Sequence, residues 1–334
     1  MEPILKQRAT AAAAPGSTAL GYNLRRRERT MTTFRKKALA GWAVLMTALT
    51  LAAPDAAAWG AQGHRLTALI AYQLLSPSAQ AQVKALLGAD DLAGASLYLD
   101  IHKDELEQAI KGSKAWHYDN RPACASSVPR ADYCPAGNCA SVQLRRHSRV
   151  LADANSSLAR KRFALQVIAH LAADIHQPLH ACDHHDAGGN AIKLTGAWNG
   201  RANLHSVWDN DFVRRAFTIP GFEGRSEPQI AAMLVEQITD EQKHAWRKGP
   251  ITAWLQDSHA VAVDIAYGLL PGFACSAANV DATLVTLPDD YIDKSVATVP
   301  QQLKKGGVRL AAILNRALSK GVEASNAFVR ADKL

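Results

Sequence analysis

The 334-residue chain is poor in aromatic residues, which make up 6% of it, and it has only five cysteines and four methionines. No internal repeat and no long Gly/Ser linker divides it. Its longest apolar run, Ala38 to Ala53, covers about 16 residues, short of the roughly 20 that span a bilayer as a helix. That shortness argues against a membrane anchor. The folded part also lacks an excess of charge. The whole chain carries +8, but residues 1–58 hold 9 of the 38 Lys/Arg and 3 of the 30 Asp/Glu, which leaves 29 against 27, or +2, for residues 59–334. A domain so nearly neutral cannot bind polyanions through a large positive field of its own.

The N-terminus has the layout of a secretory signal. Arg35, Lys36 and Lys37 form a basic start, Ala38 to Ala53 an apolar stretch, and Ala56, Ala57 and Ala58 a small-residue cleavage site ahead of Trp59. Met31 stands directly before this signal, so residues 1–30 are given no structural role. The sequence therefore predicts a leader over 1–58, with the signal proper at 31–58, and one domain over 59–334. The destination is secreted or periplasmic.

Ala/Leu-rich segments of period 3.6 dominate that domain, so the expected class is all-α, a single mainly helical domain. Ser76 reads as an N-cap, Pro77 as the first helical residue and Gly88 as the C-terminal stop. Further helices are expected near 60–75, 104–112, 141–154, 160–177, 203–216, 227–245, 252–269 and 298–318. Only Asn190 to Thr195 suggests a strand or small β-hairpin. With a secretory signal, the cysteines read as structural bridges rather than metal thiolates. Cys134 and Cys139 enclose PAGN and can close a small loop; Cys124 then pairs with Cys275 or with Cys182.

The densest chemistry lies in Phe163 to Asn190, FALQVIAHLAADIHQPLHACDHHDAGGN. His170 and Asp174 are four apart on an apolar helix and so share a face. Pro178 then ends the helix, and the turn brings His180 in from another direction. NLHSVWDN repeats the device with His205 and Asp209. One such pair is an ordinary surface hydrogen bond. Two pairs plus His180 beside apolar faces point to ligands for zinc or a similar borderline metal, which would also supply local positive charge.

WGAQGH at the mature start, HLAADIHQPLH, DAGGN, NLHSVWDN and GGVRLAAILN together resemble the S-one/P-one type single-strand-specific nucleases, over essentially all of 59–334. The resemblance implies a secreted helical enzyme of the phospholipase C/nuclease type with three zinc ions in a cleft. One ion would lie on the freed α-amino nitrogen and carbonyl of Trp59 with His64. Asp174 would bridge it to a second, also held by Asp100, His117 and His170, and His180, His205 and Asp209 would hold the third. A zinc-bound hydroxide would hydrolyse single-stranded DNA and RNA to 5′-phosphate products, with 3′-nucleotidase activity on nucleotides. The protein would act as a monomer without stable membrane association. Asp100, in SLYLDIHKDE, lacks the Trp-Ala-Asp context usual for this ligand.

Lys103 matches a cation near the scissile phosphate in that family, and Tyr118 an aromatic ring that stacks on a base. Asn120 stands where some members have a base-binding Asp, and Asp119 is one residue away and cannot simply substitute. Gly188, Gly189 and Asn190 would let the backbone approach a nucleotide, although an ordinary turn explains them equally well. His176 reads as a neighbour of the ligands or as helix surface, His184 and His185 as solvated loop, and His102, His147, His244 and His259 as structural or exposed. Asn155-Ser156-Ser157 fits a glycosylation acceptor. The competing function is a zinc-dependent phospholipase C, whose last ligand is Glu where this chain has Asp209. A storage or structural zinc protein would need closed sites.

Overall fold

A computed structural model of the chain describes residues 59–125, 128–198, 202–276 and 284–319. The leader expected over 1–58 lies outside the described residues. In chain order the helices are α1 (Ala61–Gln73), α2 (Pro77–Leu87), α3 (Leu92–Ala95), α4 (Tyr98–Ile101), α5 (Lys103–Ala109), α6 (Arg130–Tyr133) and α7 (Ala140–Ala152). They continue with α8 (Leu158–Asp174), α9 (Leu204–Ser206), α10 (Phe212–Ala216), α11 (Glu227–Glu236), α12 (Asp240–Trp246), α13 (Ile251–Val261) and α14 (Asp289–Ala317). The class is all-α.

The caps follow the sequence signals. Ser76 Oγ accepts the Ala79 N–H at the start of α2, and Gly88 closes that helix at φ 70°. Ser157 does the same for Arg160 at the start of α8. From Ala164 to Asp174 every residue of α8 is buried, so it is the central helix rather than an amphipathic surface one. It packs on α7 and α14, while α1 packs on α14, α11 and α8. One core cluster gathers Trp59, Leu66, Ile70, Trp208, Phe212 and Tyr291. The other gathers Leu87, Leu144, Leu165, Ile168, Leu171 and Leu314. Truncating a fully buried residue such as Leu165 to Ala would cost about 2–5 kcal/mol.

The α1–α14 crossing depends on a residue without a side chain. A Cβ on Gly307 would collide with the side chain of Ile70, so only glycine admits α1 at this separation. Close approach here fixes α1, and with it His64.

Several expectations need correction. The C-terminal helix starts at Asp289 and runs through Pro300, because packing against α1, α8 and α10 outweighs the one lost backbone bond. The stretch 227–245 is two helices, since Thr239 forms a capping box with Gln242 and restarts the chain as α12. The stretch 203–216 is interrupted by a π segment over Val207–Asp211, and α13 likewise passes into a π segment over Ala262–Tyr267. The hairpin expected at Asn190–Thr195 is absent among the described residues. Isolated bridges stand there instead, Lys193 with Asn203 and Leu194 with Val285. The open cysteine choice resolves as Cys124–Cys275, with Cys134–Cys139 closing its small loop and Cys182 left buried as a free thiol.

Candidate active site

His64 comes from the first turn of α1, and His170 and Asp174 from the last turns of α8. Asp100 lies on the short α4, and His117 ends a 3-10 turn over Ser113–His117. These five side chains converge. Asp174 Oδ1 is 3.3 Å from His64 Nε2, and its Oδ2 is 3.2 Å from both His117 Nδ1 and His170 Nε2. Asp100 lies 3.6 Å from His170, 3.8 Å from His117 and 4.0 Å from His64. His180, on the 3-10 turn Pro178–His180, meets His205 with their Nε2 atoms 3.0 Å apart. His205 Nε2 is 3.4 Å from Asp209 Oδ2, across the junction of α9 and the π segment. The extra residue per turn of a π segment is a common device at functional sites.

The imidazoles are held in one tautomer by the backbone. Nδ1–H of His170 donates to the Ser96 carbonyl at 2.6 Å, that of His180 to the His117 carbonyl at 2.7 Å, and that of His205 to the Gly188 carbonyl at 2.6 Å. Each Nε2 therefore points inward, the arrangement that orients metal-ligating histidines. Both nitrogens of His64, both oxygens of Asp174, Asp100 Oδ1 and Asp209 Oδ2 are buried without a hydrogen-bond partner. Buried polar atoms are rarely left so. Donor sets of His and Asp converge at His64–Asp100–His170, His117–His170–Asp174 and His180–His205–Asp209. This chemistry fits borderline divalent cations. A further grouping, Asp119 with Cys134 and Cys139, offers no thiolate, because those cysteines are bonded to each other.

The electrostatics of the metal-free cavity differ from group to group. Burial works against the charge on His170, but the carboxylates of Asp174 and Asp100 outweigh it and lift the imidazole to about 9. Burial would raise Asp174, yet His170, His117 and His64 hold it well below the usual carboxylate range. Burial also lowers His64, helped by the neighbouring His170. Burial dominates in the second cluster, with His180 down to about 4, His205 to about 3 and Asp209 pushed well above its ordinary value.

A supporting shell escaped the sequence reading. Gln177 is fully buried; its Nε2 donates to Asp209 Oδ1 at 2.6 Å, and its Oε1 accepts the Leu179 N–H. Asp183 Oδ1 accepts the Gly188 N–H at 2.8 Å, and Asp186 Oδ1 accepts the Gly189 N–H and the Tyr267 hydroxyl. These bonds hold the DAGGN turn so that the Gly188 carbonyl meets His205. Gly188 sits at φ 62°, and a Cβ there would approach the Leu179 carbonyl to 2.6 Å. Gln177 lies inside HQPLH between two ligands, and Asp183 and Asp186 make Asx-type turns, a legible signal.

The remaining site residues fall as follows. Tyr118 and Asn120 are half-buried beside His117. Asp119 is buried and accepts both the N–H and the hydroxyl of Ser141, so it is turned away from any base-binding role. Lys103 begins α5, and its charge is felt at His205. Asn190 donates to the Ala187 carbonyl and stands against Asn203. Trp59 has its side chain fully buried, and the Gly60 N–H donates to the Asp209 carbonyl at 2.8 Å, which ties the first described residues to the second cluster. His176 is core, with Nε2 accepting from Arg309 at 2.9 Å and Gln302 donating to its carbonyl. His184 is buried against Tyr267 and Phe273 instead of solvated, because the Cys124–Cys275 bridge covers that loop, while His185 is exposed.

A helical domain in which buried His and Asp side chains converge into groups that could hold metal ions has the donor set a metal-dependent hydrolase needs. Residues 59–319 match the family described as S1/P1 Nuclease, and the chain belongs to that family. It is similar to Endonuclease 2 of Arabidopsis thaliana, 28% identical over 284 residues, which is 80% of this chain and 93% of the relative. Nuclease P1 of Penicillium citrinum is 28% identical over 276 residues, 77% of this chain and 97% of the relative. Nuclease S1 of Aspergillus oryzae is 28% identical over 283 residues, 77% and 91%. The protein is accordingly a nuclease, a hydrolase acting on nucleic acids. No helix among the described residues is long and apolar enough to cross a membrane.

Proposed function

We propose that the protein is a secreted, zinc-dependent endonuclease that hydrolyses single-stranded DNA and RNA to 5′-phosphate products, with 3′-nucleotidase activity. The observation that carries this reading is the orphaned donor set: buried Asp174, Asp100, Asp209 and His64 atoms without partners, gathered around imidazoles oriented by the backbone. Trp59, through its freed α-amino nitrogen and carbonyl, and His64 would hold one zinc. Asp174 would be shared between that ion and a second on Asp100, His117 and His170, and His180, His205 and Asp209 would hold a third. When bound, the ions would acidify water and act as Lewis acids toward a phosphate oxygen.

The chain's own residues supply the rest. Ser96, His117 and Gly188 orient the imidazoles through their carbonyls. Tyr118 offers a half-exposed ring for an unpaired base, and stacking of that kind tolerates any base. Lys103, whose charge is felt at His205, would meet a phosphate oxygen. Paired cysteines at Cys124–Cys275 and Cys134–Cys139 accord with an oxidising compartment and with a leader over 1–58.

The mature N-terminus would be Trp59, whose α-amine, with an ordinary pKa around 7.7–8.0, yields its proton readily to a cation. The test joins N-terminal sequencing and a zinc count on secreted protein to assays on single-stranded DNA and phosphatidylcholine. Three zincs, a Trp59 start and 5′-phosphate products are expected. An N-terminally extended form with full zinc content would refute the Trp59 role, and turnover of phosphatidylcholine alone would transfer the enzyme to the phospholipase class.

A further inference from the structure

The motif GGVRLAAILN lies on α14, and neither ligand cluster draws on it. Gln302, Gly306 and Arg309 are spaced i, i+4 and i+7 on that helix, so they share one face. All three meet His176. Gln302 Nε2 donates to the His176 carbonyl at 2.9 Å. A Cβ on Gly306 would stand 3.5 Å from His176 Cγ, so the helix lies directly against the ring. Arg309 Nη1 donates to His176 Nε2 at 2.9 Å, and on its other side the ring donates from Nδ1 to the Ala172 carbonyl at 2.7 Å. His176 is thus fully buried and held at both ring nitrogens and at its carbonyl.

Arg309 is 3% exposed, and each of its three guanidinium nitrogens has a partner. Nε donates to the Trp246 carbonyl on α12 at 3.0 Å, Nη1 to His176 and Nη2 to Asp257 on α13, with the ring of Trp254 at 5.4 Å. A buried guanidinium is costly, and apolar side chains of similar volume often replace a buried ion pair without loss of stability. Asp257 is itself 46% exposed, so it offsets that cost only from the rim. What arginine adds is a rigid planar fork that keeps its protons, and here the fork ties α12, α13 and the His176 ring together.

His176 stands in the chain between the two ligand clusters. Asp174, two residues earlier, lies within α8 and is placed by that helix. Gln177 follows outside the helix, with φ −80° and ψ 118°, so no helical bond pattern fixes its direction. Its side chain nevertheless reaches Asp209 Oδ1 and the Leu179 N–H. Where Gln177 points depends on where residue 176 is anchored. We propose that Arg309 is a positioning residue for the second cluster: through His176 it holds Gln177 against Asp209, and so sets the zinc affinity of His180, His205 and Asp209. Gln302 serves the same end through the His176 carbonyl. The inference rests on the reading of those three residues as a zinc site.

The experiment titrates zinc-loaded protein with a chelator and compares wild type with Arg309→Met and Gln302→Leu. In Arg309→Met one zinc per chain should leave at about tenfold less chelator, the low end of the 10–100-fold for a partner that touches a ligand directly, because Arg309 acts one step further out. The remaining zinc should leave as in wild type. The zinc concentration for half-maximal turnover should rise by the same factor, with excess zinc restoring kcat, a response that simple destabilisation does not give. Leu87→Ala, a core truncation on α2, should lower Tm and leave the chelator curve unchanged. In a His205→Ala background Arg309→Met should add nothing to the loss of metal. Should Arg309→Met not fold, Gln302→Leu decides by the same readouts. An unchanged chelator curve, an equal shift in Leu87→Ala, or a shift that persists without His205 would each overturn the inference. If wild type cuts single strands and Arg309→Met holds its zinc normally, the nuclease reading stands and this inference falls. If wild type cuts nothing and the early loss of zinc is seen, the inference stands and the nuclease reading falls.

Discussion

In the cluster of His64, Asp100, His117, His170 and Asp174, buried charge is kept and neutralised internally, with His170 lifted to about 9 and Asp174 held well below the carboxylate range. In the cluster of His180, His205 and Asp209, burial instead drives each group to its neutral form. The difference lies in the carboxylate supply. Asp174 presents both oxygens to three imidazoles within 3.3 Å, whereas Asp209 gives one oxygen to Gln177 and faces His205 alone at 3.4 Å. A cation entering the first cluster competes with the proton that the carboxylates favour on His170, and one entering the second meets groups that burial pushes toward their neutral forms. Neighbouring sites with similar ligands thus have different proton costs.

The largest expected effect follows from Asp174 serving both sides of the first cluster. Asp174→Asn should lower kcat by well over the roughly 10–100-fold that loss of an outer hydrogen-bond partner costs. His205→Ala should leave the metal content of the first cluster intact. Metal analysis alongside turnover checks both, and near-normal turnover of Asp174→Asn would remove its bridging role.

The metal-free protein should show the contrast as a function of pH. His180 and His205, folded at about 4 and 3, lie below the unfolded value of about 6.5. The unfolded chain then takes up protons first, and stability falls as pH drops from about 6.5 toward 3. His170, folded at about 9, contributes stability below about 6.5 that is lost as pH rises to 9. Thermal melts of chelated protein should therefore peak near pH 6.5. His205→Gln should soften the acid limb only in part, because His147, also pushed to about 4 by burial, remains. His170→Gln should soften the alkaline limb. Unchanged limbs in both variants would dissolve the comparison.

Gln177 sharpens it from the supporting shell. Gln177→Leu removes the bond to Asp209 Oδ1 and should weaken metal binding at His180–His205–Asp209 by about 10–100-fold. Competition with a chelator would read the loss, and the first cluster should hold its metal as before.

These two clusters also show what the sequence can and cannot disclose. His170 with Asp174 and His205 with Asp209 are local pairs at helical spacing, so both were legible, as were the caps of α2 and the Cys134–Cys139 loop. Asp100 and His64 reach the site only because α1 and α4 pack against α8, a tertiary fact that periodicity does not encode and that the resemblance supplied. The π segment at Val207–Asp211 and the passage of α14 through Pro300 were illegible for the same reason. His184 reads as loop by its Gly- and Asp-rich neighbours, yet a bridge between residues 151 apart buries it. Gln177 carries no charge and no metal chemistry, so only its position within HQPLH, and not its type, pointed to it.

The smallest effect tests whether the substrate end of this contrast is separable from the metals. Tyr118 is half-buried, and the Ala140 N–H donates to its carbonyl, so its backbone is pinned independently of its ring. Asp119, clamped by Ser141, fixes the segment on the other side. Tyr118→Ala should therefore leave His117 and the metal content in place. Base stacking on an aromatic ring is worth about 1–3 kcal/mol, so binding of single-stranded substrate should weaken by roughly one to two decades. The loss should fall on KM with kcat nearly unchanged, because a stacked base is held alike in ground and transition states. Tyr118→Phe should restore KM, since stacking needs the ring and not the hydroxyl. Steady-state kinetics on a short oligodeoxynucleotide, with zinc measured in parallel, decides it. A KM unchanged in Tyr118→Ala would assign the ring to packing and leave the cleft without its base platform.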